Sequence, residues 1–316
     1  MKEELGQLEL ALKQDQQPAE RLNTLLQILE AVDGMDLPRS EMLANKAIGL
    51  ATQLNAPASL AKAHGHAAAA LWKLAEYAQS MEHYDKALDK YLALGDMHGV
   101  AKCYIGKGII CGSLDEYRTS LEYFEHGLVA SKKAARPLLS ATIVGNIGNV
   151  YFQIGRYKDA LDCFERGLEF YNEKEHPDEV AHMLGGMAGV YVYQGDLNKG
   201  LEYVKRTLSL HRKGVRPHGE AVALLNLGMT LRKMGRKEKA KLQLLEALAF
   251  TRSSKLKSVE FDIHQNLSQV YTELGRADES SKHLNLYLEM EKEEKQAALK
   301  RKTEQDRQRL NLRNSA

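Results

Sequence analysis

A period of 40 residues runs through this chain of 316. In Ala141–Leu168, ATIVGNIGNVYFQIGRYKDALDCFERGL, the marker residues are Gly148, Tyr151, Gly155, Ala160, Phe164 and Gly167. One or more periods away, similar types return. Gly148 corresponds to Gly108 and Gly228, with Ala68 and Ala188 as small substitutes, and Tyr151 corresponds to Tyr191 and Tyr271. Gly155 corresponds to Gly195, Gly235 and Gly275, and Phe164 to Phe124 and Tyr84. The Gly167 position reads Ala47, Ala87, Gly127 and Ala247. Seven blocks beginning at residues 21, 61, 101, 141, 181, 221 and 261 hold this register without insertion. A fixed period means one supersecondary unit stacked on itself. The length alone would suit two globular domains, but the repeat predicts a single array in which each unit contacts its neighbours.

Each block reads as two helices. In the fourth, Val144, Ile147, Gly148, Tyr151 and Phe152 form one apolar stripe at helical spacing. Gly155 ends that helix, because glycine readily takes the left-handed conformation that follows a helix end. Tyr157, Ala160, Leu161, Phe164 and Leu168 supply the apolar face of the second helix. Small residues at block positions 8, 20 and 27 allow two helices to approach closely, and aromatics at positions 11 and 24 fill the space between layers. Proline marks the joints independently. Of the six in the chain, Pro57, Pro137, Pro177 and Pro217 all fall at position 37, where a loop or a first helical turn tolerates them. Pro38 belongs to the internal turn of the first block, within GMDLPRS.

The Gly148/Tyr151 spacing G-x-x-Y and the Ala160/Phe164 spacing A-x-x-x-F resemble the tetratricopeptide repeat. HEAT and armadillo repeats share the period but lack those two spacings. The resemblance covers roughly residues 21–290, with the first block the most degenerate. It implies an all-α, right-handed superhelical solenoid of about seven helix-turn-helix repeats. The 40-residue length resembles that of Pins-type polarity adaptors, Rap-type bacterial regulators and bacterial sensory arrays. The organisation expected is a lead-in helix over 1–20, repeats over 21–288, and a charged C-terminal helix and tail over 289–316.

Composition narrows the function. Lys+Arg 44 against Asp+Glu 42 leaves a net charge of +2, with the basic residues dispersed, so neither nucleic acid nor a membrane surface is an expected partner. No apolar run approaches the ~18 residues of a membrane span. The N-terminus carries acids and has no long apolar core, so it is not read as a secretory signal, and a cytoplasmic location is expected. Cys103, Cys111 and Cys163 cannot all pair and have no Cys-x-x-Cys spacing, so free buried thiols are expected. No phosphate loop or catalytic constellation is present: GGMAG at Gly185–Gly189 lies inside a helical stripe. His64 and His66 point to different sides of one helix and cannot share a metal. No enzyme activity, metal or cofactor is expected.

Binding is the remaining class. In a tetratricopeptide array the first helices line the concave wall through positions 2, 5, 6, 9, 12 and 13, a groove suited to an extended peptide or a partner helix. Asn146, Asn226 and Asn266 occupy position 6, while Asn149 and Gln269 occupy position 9. A side-chain amide both donates and accepts, so it can hold a peptide unit without reading its side chain, and the resemblance implies that role for these five. Gly106 and Ile109 interrupt the ladder in the third block, Gly186 and Gly189 in the fifth. Lys62, Lys73 and Lys102 gather base at the N-terminal end, Arg232 and Lys233 form a second patch, and Gln153, His182 and Tyr193 complete the lining. Such a wall favours an acidic or carboxylate-bearing ligand. Glycines at position 5 or 6 (Gly65, Gly106, Gly145, Gly185 and Gly186) have two readings, close helix packing or a groove floor cleared for a bulky ligand. Two readings also stand for Glu289–Ala316, with eight bases and six acids up to Arg313: a solvated capping helix, or a signalling helix that leads to an output partner or dimerises. Only Ala297, Ala298, Leu299, Leu310 and Leu312 could form a seam.

Overall fold

The structure is a computed structural model that describes residues 2–12, 14, 17–32, 37–214, 216–254 and 256–314. Side chains are described from Leu5 to Leu299 within those spans, Ser258, Glu294 and Ala298 excepted. Part of the GMDLPRS turn and Ala316 therefore lie outside the described residues, as do the side chains of the seam positions Ala298, Leu310 and Leu312. Every regular element described is an α-helix. The chain divides into two compact units, Met1–Phe170 and Tyr171–Ala316.

The first unit contains α1 (Lys2–Leu12), α2 (Pro18–Val32), α3 (Leu37–Gln53), α4 (Pro57–Lys73), α5 (Tyr77–Leu94), α6 (Met97–Ser113), α7 (Tyr117–Lys133), α8 (Pro137–Gln153) and α9 (Tyr157–Leu168). Consecutive helices pack on one another, and the first helices also touch across repeats, α2 on α4, α4 on α6 and α6 on α8. Leu22, Leu25, Ile28 and Leu29 of α2 meet Leu43, Ala44 and Ala47 of α3 and Ala63 and Ala67 of α4 in one buried cluster. The second unit contains α10 (Pro177–Gln194), α11 (Leu197–Lys213), α12 (Pro217–Lys233), α13 (Lys237–Ser253), α14 (Lys257–Glu273) and α15 (Ala277–Asn314). Its core joins Leu224, Leu227 and Leu231 of α12 to Leu244 and Leu248 of α13 and Ile263 and Leu267 of α14. From α4 onward the first helices begin at 57, 97, 137, 177, 217 and 257, in steps of 40, and the four prolines at position 37 each open one.

The small positions perform the packing predicted for them. A methyl added at Gly108 would stand 2.6 Å from the Phe124 ring, and one at Gly148 would stand 2.9 Å from Phe164. Ala47, Ala87, Ala160, Ala240 and Ala247 are fully buried. Position 20 has a second use that the periodicity does not reveal. In three repeats a serine there donates its hydroxyl to the carbonyl at position 8 of the same repeat: Ser80 to Ala68 and Ser120 to Gly108, both at 2.7 Å, and Ser280 to Ser268 at 2.9 Å. A buried hydroxyl thereby finds its acceptor on the helix it packs against.

The turns close on main chain. The amide after each turn reaches back into the helix just ended, as in Arg156 N–H to Tyr151 O at 2.8 Å and Glu116 N–H to Cys111 O at 2.9 Å. This requires one left-handed residue, with φ +77° at Gly155. Ala75 (59°), Asp115 (59°) and Ala135 (50°) adopt the same conformation without being glycine, at a cost of roughly 1–2 kcal/mol each. Ala75→Gly and Ala135→Gly are expected to raise the urea midpoint by an amount worth about 0.5–1 kcal/mol, and Gly155→Ala to lower it by about 1 kcal/mol. Loss of stability in the alanine-to-glycine variants would show that these turns relax without strain.

One repeat departs from the pattern. Helix α9 has 12 residues where α7 and α11 have 17. Within the second unit, Asn172 then organises a non-helical turn: its Oδ1 accepts from Lys174 N–H at 2.9 Å and its carbonyl from His176 N–H at 2.7 Å. Arg206 fixes the same segment through Glu173 at 2.7 Å. Pro177 restarts the register, so the period is kept although the helix is shorter.

Candidate functional site

In the first unit, α4, α6 and α8 carry the predicted groove positions. Lys62, Lys73 and Lys102 are exposed, as is Gln153, while Asn146 and Asn149 of α8 are partly exposed. Trp72, the single tryptophan of the chain, lies half-buried on α4 at block position 12. The interruption in the third block has a structural cause. Gly106 is buried against the Tyr84 ring, and Ile109 packs with Phe124 and Ile143. Glycine at Gly106 therefore serves close packing. At Gly65 an added methyl would meet nothing within 4 Å, and at Gly185 it would make only ordinary contact with Thr207, at 3.8 Å.

In the second unit, α10, α12 and α14 supply the equivalent face. Asn226 is exposed. Asn266, at the same block position, is only 6% exposed, and its Nδ2 donates to Asp262 O at 2.9 Å in its own helix. Its amide is thus engaged inside the stack, unlike that of Asn226. Arg232 donates to Gln269 Oε1 and stands 3.6 Å from Glu273 Oε1. Lys233 Nζ lies 4.6 Å over the ring of Tyr193, which is 63% exposed. His182 is exposed on α10.

These contacts reshape the charge map read from the residues alone. Glu273 sits beside Arg232, so that guanidinium is already paired, and the second basic patch presents chiefly Lys233. The Arg232–Gln269 bond joins residues 37 apart, and its only sequence signal was that positions 12 and 9 both belong to the inward set. The three cysteines are buried. Burial pushes the Cys103 thiol up to about 12 and the Cys163 thiol up to about 11, which leaves both protonated and unreactive at neutral pH. Among the described residues, no group of three or more His, Cys, Asp or Glu could hold a metal ion, and no helix is long and apolar enough to cross a membrane.

Paired helices with small residues at the crossings, left-handed turns and a 40-residue step define an α-solenoid repeat protein. Tetratricopeptide-repeat models match residues 144–173, 179–253 and 261–294, and the chain is a tetratricopeptide-repeat protein. Its fold is similar to that of the apo form of RapI, at 16% identity and a TM-score of 0.66, over 87% of this chain and 99% of that one. It is also similar to the Rap conjugation gene regulator of plasmid pLS20 in complex with the Phr* peptide. There the identity is 15% and the TM-score 0.67, over 81% of this chain and 69% of the other. A third likeness is to a signal transduction ATPase with a tetratricopeptide repeat sensor from Pyrococcus horikoshii. It has 15% identity and a TM-score of 0.60, over 90% of this chain and 44% of the other. No curated protein sequence matches the chain at a significant level.

Proposed function

We propose that this chain is a non-enzymatic regulator that binds a peptide or a protein segment along its first helices. The observation that carries the reading is the return of asparagine at block position 6, Asn146 on α8 and Asn226 on α12, both at least partly exposed, with Asn149 one helical turn from Asn146. Amides so placed can pair the main chain of an extended segment. Lys62, Lys73 and Lys102 favour an acidic segment or a terminal carboxylate. The two Rap structures solved with peptide, one with Phr* and one complexed with competence and sporulation factor, support the choice of ligand class. The same reading places the chain in the cytoplasm, without cofactor, membrane or nucleic acid.

Selection from a random peptide library on the full-length chain supplies the probe, and Trp72 fluorescence reads binding in the first unit. Each lost amide pairing removes about 1 kcal/mol. The Asn146→Ala/Asn149→Ala variant is therefore expected to weaken the selected peptide by roughly tenfold or more. Unchanged affinity would remove the asparagine clamp, and affinity unchanged by salt would remove the role of the lysines.

The second reading is a sensory array that passes ligand binding through the C-terminal helix to an output partner or a second copy. It rests on α15, which runs for 38 residues where the other second helices have 18 or fewer. Light scattering that shows a dimer, lost on deleting residues 289–316, would support it, and a monomer throughout would end the dimer.

A further inference from the structure

Two helix pairs hold a feature that peptide binding does not use. Between α4 and α5, His64 Nδ1 lies 3.1 Å from His83 Nδ1; between α14 and α15, His264 Nδ1 lies 2.7 Å from His283 Nδ1. The ring centroids are 5.1 and 5.0 Å apart. Both pairs occupy block positions 4 and 23 of their repeats. The four repeats between them fill these positions with Tyr104/Tyr123, Val144/Cys163, Leu184/Tyr203 and Leu224/Gln243, so the stack does not itself demand imidazoles there. His64 and His283 are 9% exposed, His264 1%, and His83 is partly buried.

Two ring nitrogens facing each other at this distance share one proton, with one ring donating N–H and the other accepting through its lone pair. In the second pair His264 Nε2 stands 3.4 Å from the Arg252 guanidinium, a donor, and 3.6 Å from Glu260 Oε1, an acceptor, so either ring can carry the shared proton. Protonating both rings leaves two N–H groups face to face, with two cations side by side and no acceptor between them.

The surroundings oppose charging. Around the first pair, Lys86 and Lys90 of α5 disfavour the imidazolium and Glu82 favours it. Helices α2 and α3 meet α4 through leucines and alanines, and the Lys107 of α6 that meets α5 is paired with Asp85. Around the second pair, Arg252 of α13 and Lys282 of α15 disfavour charge, while Glu260 of α14, at 3.6 Å from His264 Nε2, favours it. The Tyr271 ring stacks on His283, and α12 contributes leucines. Burial, first, and these neighbours hold His64 and His283 down to about 4, and lower His83 and His264 as well.

We propose that the two histidine pairs are proton-operated latches: each clasps its helix pair while one proton is shared, and acid releases α5 from α4 and α15 from α14. A histidine held below its unfolded value contributes stability that is complete above about 6.5 and is lost as pH falls toward about 4.

The test is urea unfolding of the full chain between pH 7.5 and 4.5. Its comparison is the variant His64→Leu/His83→Tyr/His264→Leu/His283→Tyr, which copies the Leu184/Tyr203 filling. From pH 6.5 to 4.5 the unfolding constant of the native chain is expected to rise by a factor about 100-fold or more larger than the rise in the quadruple substitution. Equal pH dependence overturns the latch. Should the variant not fold, ring-nitrogen NMR of the native chain decides. Pairs that remain neutral to below pH 5.5, and then lose amide protection in α5 and α15 in the same step, support it; titration near 6.5 overturns it. Stabilisation of the native chain by zinc at pH 7, reversed by a chelator and absent in the variant, would also overturn it, because a metal and not a proton would then join the rings.

Discussion

Phe124→Ala is expected to destabilise the first unit by about 3–5 kcal/mol. The ring is 2% exposed and faces Gly108 so closely that an added methyl would stand 2.6 Å away. Gly108→Ala should also destabilise. Overpacking costs about 1–3 kcal/mol, which outweighs the gain of about 1 kcal/mol from alanine's better helix propensity. The double variant should be milder than the sum, because the methyl enters space the ring has left. A double-mutant cycle by urea unfolding measures that coupling, and additive costs would show that ring and glycine do not constrain one another.

Asp85→Asn is expected to cost about 1–3 kcal/mol, whereas Lys107→Met should be close to neutral. The Lys107 side chain is 9% exposed, pairs with Asp85 of the preceding repeat and lies 4.7 Å from the Tyr123 ring centroid. Removing the carboxylate strands a buried charge, while removing the lysine leaves an aspartate that is 55% exposed and free to hydrate. That exposure keeps the cost below the range for fully buried pairs. The pH profiles should differ in sign. Burial pulls the Lys107 pKa down, but the hydrogen bond and charge of Asp85 carry it above its ordinary 10.5. Its stabilising contribution is thus complete below 10.5 and lost as pH rises through the folded value. In Asp85→Asn burial is opposed by Tyr123 alone, and the folded value is expected to drop below 10.5, so stability is lost as pH falls toward neutrality. Urea melts between pH 7.5 and about 11.5 test this, and parallel profiles would end the account.

The helices were legible because packing between neighbouring repeats acts at fixed spacing. Gly148, Ala160 and Phe164 recur for steric reasons that any two adjacent blocks share, and Pro137 and its equivalents mark the joints directly. The left-handed turns were half legible: Gly155 announces one, whereas Ala75, Asp115 and Ala135 are forced into that conformation by the helices on either side. The short α9 was not visible, because residues 169–176 hold no glycine or proline that would announce its end.

The groove residues divide along similar lines. The period assigns them a common side of each helix, but whether an amide there is engaged depends on partners outside that pattern. Asn226 and Asn266 share a position, yet only Asn266 is drawn into its own helix. Arg232 stands 3.6 Å from Glu273 on the next first helix, a pairing outside that pattern. His64 was weighed only against His66, two residues away, while its partner proved to be His83 on the next helix.

The main-chain closure of the turns has a consequence for how such a protein can change over evolutionary time. From α4 to α8, each joint is a left-handed residue followed by the start of a new helix, and little of it depends on which side chains flank it. Loss of residues 97–136 would bring Asp96, already the capping residue of a helix start, directly before Pro137, the first residue of another. Length in this chain is therefore a quantity that recombination can alter in whole steps, leaving the remaining joints chemically unchanged and the reach of the binding surface open to selection.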